Sequence, residues 1–264
     1  PLVAIRTDIE GLPVEEQTGL PFASTARSEY NGQDVGVMHA CGHDAHMAMV
    51  LGAAKILNDM KAELAGSVML IFQPAEEGPP VGEDGGASMM LDEGIFAGRM
   101  PAAVFGMHVG ISTPGGQFSV KPGPMMAASD GFKITVKGKQ THGARPWDGV
   151  DPVVVSSQIV MGLQTIASRQ VDVTLAPSII SVGRITGGVR YNVIPDDVTM
   201  EGTIRTFDPD MREYIHSAIE RTSRLIAESA GAEVEVEIYQ GPPAVNNNAE
   251  LTSLVMPALE RASG

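Results

Sequence analysis

Basic residues are scarce: 18 Lys and Arg stand against 32 Asp and Glu, a formal net charge of −14 over 264 residues. So acidic a surface repels phosphate backbones and anionic headgroups, which argues against nucleic acid or a membrane as partner. An anionic small molecule would need local positive charge, from a cation or an arginine, to be held. Cysteine occurs once, at Cys41, which excludes an intrachain disulfide and suits a reducing, cytoplasmic setting. No apolar run approaches the roughly eighteen residues of a membrane span, and no basic-then-apolar leader opens the chain. It also lacks a starting methionine: Pro1 leads at once into the strand-like Leu2-Val3-Ala4-Ile5. The expectation is a fragment that begins in mid-domain, any targeting signal having been lost with the missing start.

What is present points to an enzyme. Hydrophobic residues make up 43% and charged residues 19%, the balance of a globular protein, and the length allows one or two domains. Thirty Gly and eighteen Pro imply many loops, unlike a helical bundle.

Residues 1–117 read as alternating strands and helices, hence a sheet flanked by helices. Leu2–Ile5, Gly66–Gln73 and Ala102–His108 are expected strands. Asp44–Met60 is a helix with Asp44 as its N-cap, and Gly86–Glu93 is a short helix. A Pro/Gly-rich joint, Thr113–Gly116 and Lys121–Pro124, leads into a second unit, residues 118–239. Strands are expected at Phe132–Val136, Ser178–Arg184, Val198–Thr206 and Glu233–Tyr239, with helices at Asp151–Arg169 and Pro209–Ala230. That βαββαβ order is ferredoxin-like. Residues 240–264, with a helix over Ala249–Ala262, are expected to return to the first unit. Gly183–Gly188 lacks the helix-opening context of a nucleotide loop and reads as a flexible hairpin connection.

The chemistry concentrates in three places. Met38-His39-Ala40-Cys41-Gly42-His43-Asp44-Ala45-His46 puts three of six histidines within five residues of the only thiol, just before a helix. Thiolate and imidazole two apart can aim at one cation. A lone Cys-x-His is more often a buried thiol beside surface histidines. The second place is Glu76-Glu77, which follows the strand ending at Gln73, and the third is His108, at the end of another strand. Ligands in such sheets bind outside the carboxyl ends of strands. The alternative for each is a solvated turn, yet three sites at the turns and strand ends of one sheet reinforce one another.

The motifs Asp8-Ile9-Glu10-Gly11-Leu12-Pro13, Met38–Asp44, Gln73-Pro74-Ala75-Glu76-Glu77-Gly78 and Gly106-Met107-His108 closely resemble those of the metal-dependent aminoacylase and carboxypeptidase family. The branch is that of hippurate hydrolases, N-acyl-amino-acid amidohydrolases and auxin-conjugate hydrolases, and the match runs through nearly the whole chain in order. The resemblance implies an α/β catalytic domain, with a mixed sheet flanked by helices, and an inserted ferredoxin-like lid that mediates homodimerisation. It implies a pair of divalent cations, Zn or Mn first and Ni or Co next, held by Cys41, His43, Glu77 and His108. It makes Glu76 the general base and small N-acyl amino acids the substrates. His142, in the loop-like Thr141–Pro146, would steady the oxyanion in a neighbouring protomer's site. Asn192 and Arg205 would hold the substrate carboxylate.

Two departures stand out. Family members supply one more histidine ligand near the C-terminus, yet none follows His216, and His216 falls in an expected helix. The chain is therefore expected to lack one ligand and to be weakly active or inactive. Glu10 stands where many relatives carry aspartate. Two other readings stay open: a thiol hydrolase using Cys41, and a catalytically silent binding domain.

Overall fold

A computed structural model describes residues 1–80 and 83–263. The chain divides into two units, Pro1–Gly115 and Gly116–Gly264, with the break inside the Pro/Gly-rich joint.

The first unit runs β1 (Leu2–Asp8), a hairpin of β2 (Arg27–Tyr30) and β3 (Gln33–Gly36), α1 (His43–Asp59), β4 (Ser67–Gln73), α2 (Gly86–Asp92) and β5 (Ala103–Gly106). The strands β4, β1 and β5 form one sheet in that order, with β1 central. Both pairings are parallel, with Asp8 opposite Gln73 and Arg6 opposite Gly106. The expected mixed sheet is thus a parallel one among the described residues. Its strands are joined through helices, and a helical crossover returns each strand in the same direction. All three carboxyl ends consequently lie at one edge. The hairpin turns on Asn31-Gly32, both with positive φ, as a tight two-residue turn requires.

Asp44 does not cap α1. The cap is Gly42, whose left-handed backbone (φ 82°) places the turn two residues earlier, and Asp44 sits in the first helical turn. There its charge still complements the helix dipole. β5 stops at Gly106, so His108 lies two residues beyond the strand rather than at its end.

The second unit opens with β6 (Gly123–Met126), β7 (Ala128–Lys137), the two-residue β8 (Thr141–His142) and α3 (Pro152–Thr165). It continues through β9 (Ser178–Gly187), β10 (Val193–Ile194), β11 (Asp197–Thr206), α4 (Pro209–Ser229), β12 (Glu233–Tyr239), β13 (Val245–Asn247) and α5 (Ala249–Ala262). A four-stranded antiparallel sheet has the order β12-β7-β11-β9. β7 alternates buried and half-buried residues along its first nine positions, presenting Phe132, Ile134 and Val136 to the helices. The two helices answer with Ile159 and Leu163 of α3 and Ile215 and Ile219 of α4, all wholly buried. Both start with aspartate caps, Asp151 accepting from Val153 and Val154 N–H and Asp208 from Met211 N–H. Gly183–Gly188 is not a free hairpin connection: β9 continues to Gly187, held by pairing with Val198. Thr141–His142 is likewise a strand, paired with β10. The chain is therefore a mixed α/β protein. No described helix is long and apolar enough to cross a membrane.

Candidate metal centre

The site of the first unit grows from the strand ends. Two residues past β1 stands Glu10, three and four past β4 stand Glu76 and Glu77, and two past β5 stands His108. The turn before α1 adds Cys41, and the helix's first residue is His43. Ala75, which directly precedes Glu76 and Glu77, takes a left-handed backbone (φ 48°), uncommon for a residue with a Cβ.

These residues meet. Donor atoms of Cys41, His43 and Glu77 lie within 4.8 Å of one another, and so do those of Glu10, His43 and Glu76. The thiol of Cys41 is 3.4 Å from Nε2 of His108. Three of the four sequence-derived ligand candidates thus share one cluster, the fourth, His108, meets it at the Cys41 thiol, and Glu76 shares His43 with it through the second cluster. Glu10, whose role the sequence left open, lies at the centre. Its Oε1 accepts the Glu77 N–H at 3.0 Å, and its carbonyl accepts Nδ1–H of both His39 and His43 at 3.0 Å.

The imidazoles reveal which atoms face inward. His43 gives its Nδ1 proton to the Glu10 carbonyl, so its Nε2 carries a lone pair. That Nε2 is buried and finds no hydrogen-bond partner among the described residues. A buried acceptor left alone is costly, and a cation would satisfy it. His108 donates its Nδ1 proton to the Val109 carbonyl at 2.7 Å and so also turns Nε2 inward. Two imidazole lone pairs, one thiol and one carboxylate are the donor set a zinc-like cation takes. The residues fit the group that the resemblance implies.

Electrostatics agree. Burial, with the charges of Glu77, Asp8 and Glu10, pushes the Glu76 carboxyl above the usual range, Arg6 opposing. Burial also raises the Cys41 thiol, to about 11, helped by a hydrogen bond to Glu77 and the charges of Glu77, Glu76 and Asp8. Negative charge so concentrated asks for a counter-cation. Asp8 goes the other way. Burial would raise it, but the His46 hydrogen bond and the charges of Arg6, His43 and His46 together hold it below its ordinary value.

The sequence reading missed this last group. Asp8 accepts from Arg6 at 2.8 Å and from His46 Nδ1 at 2.7 Å. His46 lies three residues beyond His43, one turn along the same helix face, and that spacing was the available signal.

In the second unit, His142 and Asn192 are neighbours: His142 pairs with Val193, and Gly143 N–H donates to the Asn192 carbonyl at 2.8 Å. Arg205 is elsewhere. It lies opposite Ser129 at one end of β7, whereas β11 starts with Asp197 opposite Lys137 at the other. Eight residues of strand separate these ends, about 27 Å. Arg205 instead bonds Thr203 Oγ1 and the Ile204 carbonyl. His216, buried in α4, bonds Asp130 at 2.9 Å and so is engaged in the second unit's own structure.

Known proteins are similar to this chain over nearly its whole length. The chain is 40% identical over 262 residues to an N-acetyl-L-cysteine deacetylase of Bacillus subtilis, covering 99% of this chain and 59% of that protein. It is 42% identical over 262 residues to thermostable carboxypeptidase 1 of Saccharolobus solfataricus, covering 99% and 63%. A solved structure of a dinuclear metal-binding peptidase from the M20 family, also of Bacillus subtilis, superposes with a TM-score of 0.76 at 38% identity, over 99% of this chain and 63% of that one. The chain thus spans about three fifths of the length of these curated relatives. The model of peptidase family M20/M25/M40 matches residues 4–264, and the chain belongs to that family.

Proposed function

We propose that this chain is the larger part of a metal-dependent amidohydrolase that cleaves the amide bond of N-acyl amino acids, such as hippurate-like or N-acetyl compounds. The observation that carries the reading is the clustering of Cys41, His43 and Glu77, with His108 against the Cys41 thiol and a buried His43 Nε2 that has no hydrogen-bond partner among the described residues. Two divalent cations held there, Zn or Mn before Ni or Co, would polarise the amide carbonyl and make water a better nucleophile near neutral pH.

Glu76 is the general base. Its neighbour Glu77 is the carboxylate committed to the cation, leaving Glu76 free to take a proton from the attacking water and pass it to the departing amine. Burial is the largest cause that raises the Glu76 carboxyl, and a buried carboxyl is a stronger base than an exposed glutamate. The name of the deacetylase relative supports an N-acetylated amino acid as substrate. The thiol-hydrolase alternative is opposed by the surroundings of Cys41, where burial and the charges of Glu77, Glu76 and Asp8 push the cation-free thiol up to about 11, so that a bound cation rather than a neighbouring base would make the thiolate.

The second unit is read as a ferredoxin-like lid, and residues 240–264 as the return toward the catalytic domain of a longer protein. Dimerisation through the lid is supported by the edge strand β9, with Ile179 and Ile185 more than half exposed. It would also make sense of the lid's two ends. In a symmetric dimer each site would take His142, steadying the oxyanion, and Asn192 from one protomer and Arg205 from the other, Asn192 and Arg205 holding the substrate carboxylate together.

The test is hydrolysis of a panel of N-acyl amino acids before and after chelation, with the metal content measured. Activity that disappears on chelation and returns with Zn or Mn supports the reading. Activity that survives chelation but is abolished by alkylating Cys41 overturns it in favour of the thiol.

A further inference from the structure

His108 poses a problem of position. It lies beyond the end of β5 and is exposed, so neither the sheet nor burial fixes its ring. What orients it is the backbone of the next residue, since its Nδ1–H donates to the Val109 carbonyl at 2.7 Å. The same residue is held from its other side, its N–H donating to Nε2 of His46 at 2.9 Å. His46 is 2% exposed, and its ring meets the His108 ring edge-on at 4.8 Å between centroids.

The direction of these bonds fixes the proton. A backbone N–H only donates, so Nε2 of His46 must carry a lone pair, and the ring's proton sits on Nδ1. There it is given to Oδ1 of Asp8 at 2.7 Å, and Asp8 is anchored in turn by Arg6 at 2.8 Å. Both nitrogens of His46 are therefore used. Although donor atoms of Asp8, His43 and His46 lie within 4.8 Å of one another, His46 has no lone pair left for a cation. Close packing locks the arrangement: a Cβ on Gly42 would collide with Cγ2 of Val109, so glycine admits the Val109 side chain against the start of α1.

We infer that His46 is a positioning residue, a neutral strut protonated on Nδ1 that fixes the Val109 peptide and, through its carbonyl, aims Nε2 of His108 at the cation. Its importance for binding rests on the reading of His108 as a ligand. The strut itself does not.

The two are separable by experiment. In the metal-free chain, long-range 1H–15N correlation spectra are expected to show His46 neutral and protonated on Nδ1. A proton on Nε2, or an imidazolium at neutral pH, overturns the strut without any variant. Replacing the ring by His46→Ala is expected to speed hydrogen exchange of the Val109 amide roughly tenfold. It is also expected to weaken Zn2+ or Mn2+ binding by about 10- to 100-fold. In His46→Gln, Oε1 can accept the Val109 N–H, so this variant is expected to recover much of the amide protection and much of the affinity, which a merely space-filling role does not predict. Unchanged Val109 exchange in a folded His46→Ala chain, or a Gln variant no better than Ala, overturns the proposal. Should His46→Ala fail to fold, the tautomer and the Gln variant decide. If the parent chain binds neither cation, the ligand reading falls while the tautomer and the Val109 amide still judge the strut.

Discussion

In the first unit the described residues withdrawn from solvent are mostly polar: Thr7, Asp8, His43, His46 and Gln73, beside the apolar Ala4, Val50 and Ile71. In the second the proportion is reversed. Phe132, Ile134, Leu163, Met200, Ile204 and Ile219 belong to one continuous apolar cluster between a four-stranded sheet and two helices. The first unit also leaves apolar surface open. A cavity of about 380 Å3, lined by Val3, Ile5, Met49, Val50 and Phe105 among others, lies against the sheet, and Val104 and Met107 are about half exposed. Packing holds the second unit together. The first relies more on directed hydrogen bonds, and those same bonds orient the candidate ligands. Such a division is expected where chemistry requires buried charge, which only paired and hydrogen-bonded groups tolerate.

The sharpest way to break this comparison is at Glu76. Glu76→Gln keeps the shape and removes the base. Turnover is expected to fall by roughly 10²- to 10⁴-fold, with the metal content unchanged and thermal stability equal or slightly higher, since a like charge beside Glu77 is gone. Metal analysis together with initial rates on an N-acetyl amino acid checks this. Near-normal rates would remove Glu76 from its role. Leu163→Ala should do the opposite: a cavity in the fully buried core, a loss of about 2–5 kcal/mol in denaturant unfolding, and little change in cation affinity at Cys41 and His43. A large fall in affinity from a substitution in the second unit's core would mean that the units do not divide their labour this way.

Legibility in the sequence follows the same line. The second unit was readable because its pattern is periodic: Glu233–Tyr239 alternates residue by residue, and its bounds match the expected strand. The ligand candidates were readable because Cys41, His43, Glu77 and His108 are chemically conspicuous and stand at turns and strand ends. Two-residue strands were not, since β8 and β10 exist only through each other across 50 residues of chain. The hairpin at Asn31-Gly32 carried the strongest short signal for its turn and was still left out, its strands being too short and polar to stand out. The work of His46 was hidden for a different reason. Its partner is the main-chain N–H of Val109, and a backbone amide leaves no mark in the residue types.

A milder probe concerns a buried ionic cluster of the apolar unit. Asp130 accepts from Arg212 Nε at 2.8 Å, from the Gly241 N–H at 3.0 Å and from His216 Nε2 at 2.9 Å. Burial alone would raise its pKa, but these partners together hold it below its ordinary value. A carboxylate whose folded value is depressed adds stability that is fully present above its unfolded value, about pH 4, and fades as the pH falls through the lower folded one. Denaturant unfolding followed from about pH 6 down to about pH 2 should show that loss, and Asp130→Asn should flatten it at some expense of stability at pH 6. An unaltered acid profile in the variant would assign the acid sensitivity to other carboxylates.

The smallest effect is expected at Gly42, where the first unit's dependence on geometry can be read at one atom. Gly42 has a left-handed backbone, and an added Cβ would strike Val109. Gly42→Ala therefore faces conformational strain of about 1–2 kcal/mol as well as the displacement of Val109, whose two backbone groups hold His46 and His108. The loss of stability should be modest, but cation affinity should fall by more than that strain implies, because the displaced peptide is the one that aims His108. Isothermal titration with Zn2+ beside a thermal melt separates the two. If affinity and stability fall in step, Gly42 serves only the turn; if affinity falls further, the hydrogen-bonded frame and not the apolar core sets the metal site.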